Sequence, residues 1–202
     1  MRNPIALLAA LLAATPAPKT PGVEELRRLE AQYAPVDLTV DLSKLPEGER
    51  LVLARLVEAS QVVDALFLRQ EWAGADAMLL SLQDDPTPLG RARLGFFLRN
   101  KGPWDRLDQD RIFVPGAPPR PEAGTFYPPG ATKDEVARWM ASLPAKERAA
   151  AGGFFTVIRK TQAGLAAVPY SVEYQSELGL AASKLRQAAA LTAEPTLKRF
   201  LE

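Results

Sequence analysis

The stretch PEGERLVLARLVEASQVVDALFLRQEW, residues 46–72, decides the fold class of this chain. Apolar residues recur in it at helical spacing, and a helix with 3.6 residues per turn gathers them on one side. The stripe predicted in this way consists of Val52, Leu56, Ala59, Val63, Leu66 and Phe67. The sequence therefore predicts one scaffold helix from Pro46 to about Trp72, roughly 40 Å long at 1.5 Å per residue.

Shorter helices are predicted before and after this scaffold. Thr20 and Pro21 suggest the start of a first helix, which Pro35 would stop. The alternating stretch DLTVDL, residues 37–42, predicts extended chain. Two further helices are predicted after the scaffold, over residues 75–83 and 88–99, the second with Thr87 as its N-cap.

Residues 100–131 differ in composition, with seven prolines and four glycines in 32 positions. A loop of this length is usually functional or disordered. Its aromatic and aliphatic residues argue against disorder, because disordered linkers contain few of them. We therefore predict that this segment, called the strap below, is ordered and packs over another surface.

The rest of the chain predicts more helices and one hairpin. A capping box starts at Thr132, and Pro144 is predicted to begin a helix that ends at Gly152 and Gly153. FFTVIRK and GLAAVPY flank the turn TQAG, which predicts a β-hairpin over residues 154–170.

A last long helix is predicted from a Ser171 cap to about Leu191, and another begins near Pro195. The fold class predicted from these elements is mainly α with a small β-hairpin, a helical lobe wrapped by the strap. The chain is predicted to divide into a signal peptide (residues 1–19), an N-terminal helical part (20–99), the strap (100–131), and a part with helices and the hairpin (132–202).

Composition excludes several functions. The 25 Lys and Arg residues balance 24 Asp and Glu residues, so no nucleic-acid partner is indicated. The absence of cysteine and histidine excludes thiolate and imidazole zinc sites, cysteine nucleophiles and Ser-His-Asp catalysis. An enzyme that uses carboxylates alone stays open as a weak alternative.

The N-terminal stretch MRNPIALLAALLAATPAPKTPG, residues 1–22, has one arginine, a short apolar run and then small residues and prolines. This order is typical of a secretory signal, and the run is too short for a stable membrane span. We expect a periplasmic or secreted protein. The alternative is an uncleaved apolar segment on a cytoplasmic protein.

The strap also supplies the candidate site residues. Its rings could anchor it to the helical core, or some could line a cleft where an extended peptide lies. The candidates for contact with a substrate are Asn100, Lys101, Trp104, Asp105, Arg106 and Tyr127. No catalytic residue and no metal ligand is predicted, because the aspartates near residue 108 lack the glycine and glutamate of a calcium loop.

The motifs resemble the N-terminal part of bacterial members of the dipeptidyl-peptidase III family of zinc metallopeptidases. The resemblance covers roughly residues 25–202 and rests on NKGPWDRLD, TFYPPGATKDE, GFFTVIRK, AVPYSVEY and LTAEPTLKRFLE. The same region occurs in plants joined to a Nudix domain, but the Nudix box is missing from this sequence.

The resemblance implies a two-lobed hydrolase that cleaves peptides in a cleft, with zinc held by an H-E-x-x-H helix and a downstream glutamate. None of those positions exists here, since the chain has no histidine. We therefore expect one lobe of a longer enzyme, inactive alone, which supplies one cleft wall and needs a missing C-terminal catalytic lobe. The alternative is a complete, non-catalytic peptide-binding or interaction domain derived from that family.

Overall fold

The computed structural model describes residues 20–202, and the predicted signal peptide, residues 1–19, lies outside the described residues. Its helices are α1 (Val23–Glu30), α2 (Glu47–Glu71), α3 (Ala75–Gln83), α4 (Pro88–Asn100), α5 (Lys133–Ser142), α6 (Ala145–Ala151), α7 (Tyr170–Glu173), α8 (Gln175–Leu191) and α9 (Pro195–Leu201). Its strands are β1 (Trp104–Asp105), β2 (Arg111–Ile112), β3 (Thr156–Thr161) and β4 (Gly164–Pro169). The predicted fold class, mainly α with a small β-hairpin, is confirmed.

Helix α2 is the scaffold, as predicted, and it packs along α8. The predicted stripe is only partly correct. Val52, Ala59 and Leu66 are buried, whereas Val63 is 52% exposed and Phe67 is 39% exposed. Periodicity shows which side of a helix is apolar, but how much of that side is covered depends on where the neighbouring elements lie.

The larger core joins the first helices to the strap. Leu26 and Leu29 of α1 meet Phe96 and Phe97 of α4, and Phe113 of the strap completes the cluster. The rings of Phe96 and Phe113 pack edge to face with centroids 4.8 Å apart. Burial of Phe113 confirms that the strap is ordered and packed, as its composition predicted.

A second, smaller core lies under the predicted hairpin. β3 and β4 pair antiparallel from Thr156 opposite Pro169 to Thr161 opposite Gly164. Val157 of β3 packs with Leu66 of α2 and with Tyr174. The hairpin is thus fixed to the scaffold helix through one cluster of side chains.

Two predicted caps are confirmed. The hydroxyl of Thr87 accepts a hydrogen bond from the amide of Gly90 at 3.0 Å, and that of Thr132 accepts one from Glu135 at 3.1 Å. Each bond satisfies an amide that has no partner within its own helix.

Two local predictions are wrong, and one element was missed. Helix α1 begins after Gly22, so Thr20 is not its cap. Ser171 lies inside α7, and Tyr174 leaves the helical conformation between α7 and α8, so one predicted helix is two. The pair β1 and β2 inside the strap was not predicted. Residues 37–42 form no paired strand in the described chain.

Candidate functional site

The strap closes the C-terminal end of α2. The amide of Thr125 donates to the carbonyl of Gln70 at 2.7 Å, and its hydroxyl donates to that of Arg69 at 3.0 Å. The last carbonyls of a helix have no partner within the helix. Gly124 allows the approach, because its φ is +52° and a Cβ there would lie 2.3 Å from the Gln70 oxygen.

Trp104 fixes the first part of the strap. It is 2% exposed, and its indole nitrogen donates to the carbonyl of Pro118 at 2.8 Å. Its ring meets that of Trp72, at the end of α2, in an edge-to-face contact. In this structure Trp104 has the anchoring role that the sequence left as one of two alternatives.

Two more of the candidate residues are buried among protein groups. The side-chain oxygen of Asn100 accepts from the amide of Arg106 at 3.1 Å, and its nitrogen donates to the carbonyl of Phe96 at 3.0 Å. Asp105 is 2% exposed and accepts from the amide of Leu107 at 3.0 Å. These bonds shape the turn that follows α4.

The remaining candidates are nearer the surface. The Lys101 ammonium is 2.6 Å from Asp64, and the Arg106 guanidinium is 2.9 Å from Glu71. Tyr127 is 39% exposed and is the one predicted candidate that lines the large cavity described next. Contact of any of the six with a substrate stays a prediction.

A cavity of about 1210 Å³ lies between the strap, the end of α2, α5, β3 and the α7–α8 junction. We call it the strap groove. Its wall includes the side chains of Trp72, Tyr127, Val136, Met140, Arg159 and Tyr174. A concave site with apolar walls and a few convergent polar groups is the common form of a binding site.

Arg159 ties the floor of the groove to the strap. It contacts Glu173 at 2.6 Å and donates to the carbonyl of Thr125 at 2.8 Å. On the neighbouring wall Arg69 pairs with Glu177 and lies 4.0 Å from Asp76. The charges of both arginines are therefore compensated within the protein.

Three other charged side chains line the groove outside these pairs. Lys133, Lys160 and Glu122 take part in none of the ion pairs formed within residues 20–202. Lys133 is also the first residue of α5, where Asp134 and Glu135 in the first turn offset the positive end of the helix dipole. Because Asp76 shares the single charge of Arg69 with Glu177, the two lysines are balanced by two carboxylates, those of Asp76 and Glu122.

Two neighbouring tyrosines lie where α7 meets α8, and one of them, Tyr174, lines the groove. Tyr174 is 2% exposed, lines the cavity, and its hydroxyl has no hydrogen-bond partner in the described part of the chain. The ring of Tyr170 packs against it with centroids 5.0 Å apart. Burial, and then the proximity of Tyr174, raise the pKa of Tyr170 above its ordinary value of 10.0.

A charged cluster holds the strap beside the groove. The Arg120 guanidinium lies 3.1 Å from Glu71 and 3.3 Å from Asp110. Burial opposes its charge, but the hydrogen bonds that Arg120 donates to the two carboxylates, with their negative charges, outweigh that effect and raise the pKa of Arg120 above its ordinary value. Arg120 therefore serves as a permanent positive clamp between α2 and the strap.

The zinc that the resemblance implies does not fit the residues of this chain. Within residues 20–202 no group of three His, Cys, Asp or Glu side chains is close enough to hold a metal ion. The full sequence also lacks histidine and cysteine, which are the usual zinc ligands. Near residue 108, Asp108 pairs with Arg111 at 2.7 Å, as expected for structural charges.

Sequence reasoning placed the site on the strap and missed most of the groove. Its other walls come from α5, β3 and the residue between α7 and α8, which are distant in sequence. The motif AVPYSVEY, residues 167–174, ends at Tyr174, but in the sequence it serves only as a mark of resemblance. An aromatic pair four residues apart, Tyr170 and Tyr174, was the available signal.

Among the described residues, no helix combines the length and the apolar character that a membrane crossing requires.

Two solved structures of dipeptidyl-peptidase III are similar to this chain. No protein-family model matches the chain. The dipeptidyl-peptidase III of Corallococcus sp. strain EGB is 55% identical, with a TM-score of 0.87, over 91% of this chain and 34% of its own. The corresponding protein of Caldithrix abyssi is 36% identical, with a TM-score of 0.81, over 87% of this chain and 33% of its own.

One curated plant protein is also similar. "Nudix hydrolase 3" of Arabidopsis thaliana is 28% identical over 87% of this chain and 29% of its own length. The chain thus spans about a third of the proteins it matches. The resemblance predicted from the motifs is confirmed: this chain is similar in sequence and fold to about a third of a bacterial dipeptidyl-peptidase III, consistent with the N-terminal region of a protein of that family.

Proposed function

We propose that residues 20–202 act as one lobe of a dipeptidyl-peptidase-III-like zinc peptidase and form part of the wall along which a peptide substrate lies. The single observation that supports this is the 55% identity with a bacterial dipeptidyl-peptidase III over 91% of the chain. Zinc and the catalytic side chains would come from residues outside this chain. The chain's own contribution is to bind and orient the peptide.

The strap groove is the part of the chain suited to that contribution. Trp72 and Tyr127 offer flat apolar surfaces along its wall. The strap is held rigidly by Thr125 and Trp104, so a ligand would meet a preformed wall. Preformed sites lose less conformational entropy on binding.

A hybrid enzyme tests this proposal. The segment of the Corallococcus protein that matches this chain would be replaced by residues 20–202, and release of dipeptides from short peptides would be followed by mass spectrometry. We expect the hybrid to release dipeptides, whereas the 202-residue chain alone releases none. Zinc content and thermal unfolding of the hybrid serve as folding controls.

A folded, zinc-loaded hybrid that releases no dipeptide would overturn the proposal. Together with peptide binding by the chain alone, that result would favour the second candidate function, a non-catalytic peptide-binding domain. The absence of a metal cluster from residues 20–202 is the observation that keeps this second candidate open.

A further inference from the structure

We propose that residues 36–42, called the docking segment below, add as a β-strand to the edge of a sheet supplied by the other two thirds of the peptidase. The proposal rests on the proposed function, because that function makes residues 20–202 one part of a longer protein. It goes further by assigning a contact to one segment and by stating the chemistry of the strand that receives it.

The docking segment has the residue pattern of a strand with one apolar face. Its sequence, VDLTVDL, alternates apolar and polar residues at every position. Successive side chains of a strand point to opposite faces, so the apolar residues share one face and the polar residues the other. Such alternation favours a strand that is buried on one side. The apolar residues are Val36, Leu38, Val40 and Leu42, and the polar ones are Asp37, Thr39 and Asp41.

The structure leaves this apolar face uncovered. Leu38 is 94% exposed, and Val36 and Val40 are 73% and 76% exposed. Single exposed apolar side chains are ordinary, whereas three at alternate positions form a continuous apolar surface. Every residue from 34 to 44 is exposed, so no other element within residues 20–202 covers the segment.

The backbone of the docking segment is unpaired as well. The amides and carbonyls of residues 36–41 take part in no backbone–backbone hydrogen bond formed within residues 20–202. The segment ends at a turn, where the Ser43 amide donates to the Asp41 carboxylate at 2.9 Å. A row of free donors and acceptors beside an apolar face is what a strand offers to the edge of a sheet.

Charge argues against a second copy of this chain as the occupant. Antiparallel pairing of two docking segments about Thr39 sets Asp37 of each opposite Asp41 of the other, and parallel pairing in register sets each aspartate beside its own copy. Like charges opposite each other destabilise a pair of strands, and opposite charges stabilise it. The partner strand therefore carries apolar residues on one face and lysine or arginine on the other.

The matched proteins indicate where this partner strand comes from. The Corallococcus and Caldithrix proteins are matched over 34% and 33% of their lengths, so about two thirds of each lies outside the match. In a protein of that kind the docking segment and the remainder belong to one chain, which raises the effective concentration of the partner strand. The remainder is thus favoured over a separate protein.

The test compares the 202-residue chain with the hybrid of residues 20–202 and the Corallococcus protein. Hydrogen exchange of single backbone amides is measured by mass spectrometry with electron-transfer fragmentation. We expect residues 36–42 to exchange as unprotected peptide in the chain alone. In the hybrid, every second amide should exchange on the order of tenfold more slowly, because a strand paired on one side donates with alternate amides. Equal exchange in both proteins would overturn the proposal.

A substitution on the apolar face gives a second test. Leu38→Ser should leave the thermal unfolding midpoint of the 202-residue chain unchanged, since Leu38 is exposed there, and lower that of the hybrid by a few degrees. Leu107→Ser is the matched control, because Leu107 is an exposed leucine outside the docking segment, and it should change neither midpoint. Equal effects of Leu38→Ser in the two proteins, or of the two substitutions in the hybrid, would contradict the docking role.

A substitution on the polar face tests the charge of the partner strand. Asp37→Lys should lower the unfolding midpoint of the hybrid and leave that of the 202-residue chain unchanged, because Asp37 is exposed in the chain. Asp37→Glu keeps the charge and serves as the control. If the hybrid with Asp37→Lys unfolds at the same temperature as the unchanged hybrid, the partner strand is not basic.

Sedimentation of the 202-residue chain tests the other occupant. We expect a monomer. A dimer in which residues 36–42 are protected from exchange would show that a second copy occupies the segment, and the proposal would fail.

These outcomes separate the inference from the proposed function. A hybrid that releases dipeptides while residues 36–42 exchange freely would disprove the inference alone. A folded, zinc-loaded hybrid with a protected docking segment and no dipeptide release would disprove the proposed peptidase lobe and leave the strand contact in place.

Discussion

The indole rings of Trp72 and Trp104 meet edge to face with centroids 5.8 Å apart, and this contact joins the end of the scaffold helix to the start of the strap. Such aromatic pairs contribute to stability beyond the area they bury. The strap is thus anchored at the place where the groove begins.

Removing this anchor should destabilise the whole chain. We expect Trp104→Ala to lower the free energy of unfolding by about 3–5 kcal/mol, because a large buried ring is replaced by a cavity. Urea unfolding followed by circular dichroism measures the loss. Trp104→Phe loses the hydrogen bond to Pro118 but keeps a buried aromatic ring, so it should lower the free energy of unfolding by less. An unchanged unfolding midpoint for Trp104→Ala would contradict the anchoring role.

Two glycines of the strap provide a matched comparison. Gly124 and Gly116 both have positive φ, at +52° and +81°, but only Gly124 lies against the backbone of α2. Gly116→Ala should cost about 1 kcal/mol for its backbone conformation. Gly124→Ala should cost at least about 2 kcal/mol more, since it also disrupts the Thr125 bonds to α2. Equal losses in chemical unfolding would show that the close approach is unimportant.

The tyrosine pair gives a prediction about pH. Because the pKa of Tyr170 is raised in the folded chain, the folded state holds this proton more tightly than the unfolded state does. The resulting stabilisation is present below pH 10.0 and is lost as pH rises through the folded pKa.

The free energy of unfolding should therefore decrease as the pH rises across this range. The decrease should be less steep for Tyr170→Phe. Ultraviolet difference spectroscopy of the two proteins reports the titration directly. The same slope in both proteins would mean that Tyr170 does not titrate differently on folding.

The N-terminal segment gives a prediction of another kind. We expect residues 1–22, fused to an alkaline phosphatase that is active only after export, to yield phosphatase activity in the periplasm of a bacterial host. Leu8→Arg interrupts the apolar run and should abolish that activity. Activity that stays in the cytoplasm with the unchanged segment would rule out the predicted signal.

The elements that the sequence predicted well are those determined by short-range chemistry. Thr87 and Thr132 cap their helices because a hydroxyl three residues before an amide can reach it locally. Ser171 also offers a hydroxyl but is not a cap, because α7 already begins at Tyr170, and Tyr174, buried against Leu66 and Val157, separates α7 from α8. That burial is a long-range effect that local patterns do not contain.

The hairpin of β1 and β2 was missed for a related reason. Each strand has two residues, and the turn between them needs left-handed conformations at Gln109 and Asp110, with φ of +49° and +57°. Such conformations are uncommon for residues other than glycine, so the sequence gives little sign of the turn.

The six candidate residues occupy different places in the structure, and their contact with a substrate stays a prediction. Tyr127 lines the groove, whereas Asn100, Trp104 and Asp105 are buried in the structure that supports the strap. Composition identified the strap as unusual, but it could not distinguish residues that hold the strap from residues that face the cavity. Tertiary contacts with α2 decide that distinction.

The bonds from Thr125 to the carbonyls of Arg69 and Gln70 make the strap the terminator of α2 as well as a wall of the groove. The strap therefore cannot swing open as a hinged flap without exposing the last turn of the helix. Movement of the strap away from the groove should therefore be accompanied by fraying of the last turn of α2. Hydrogen exchange of the backbone amides at the end of α2 would consequently report on movement of the strap that forms the wall of the groove.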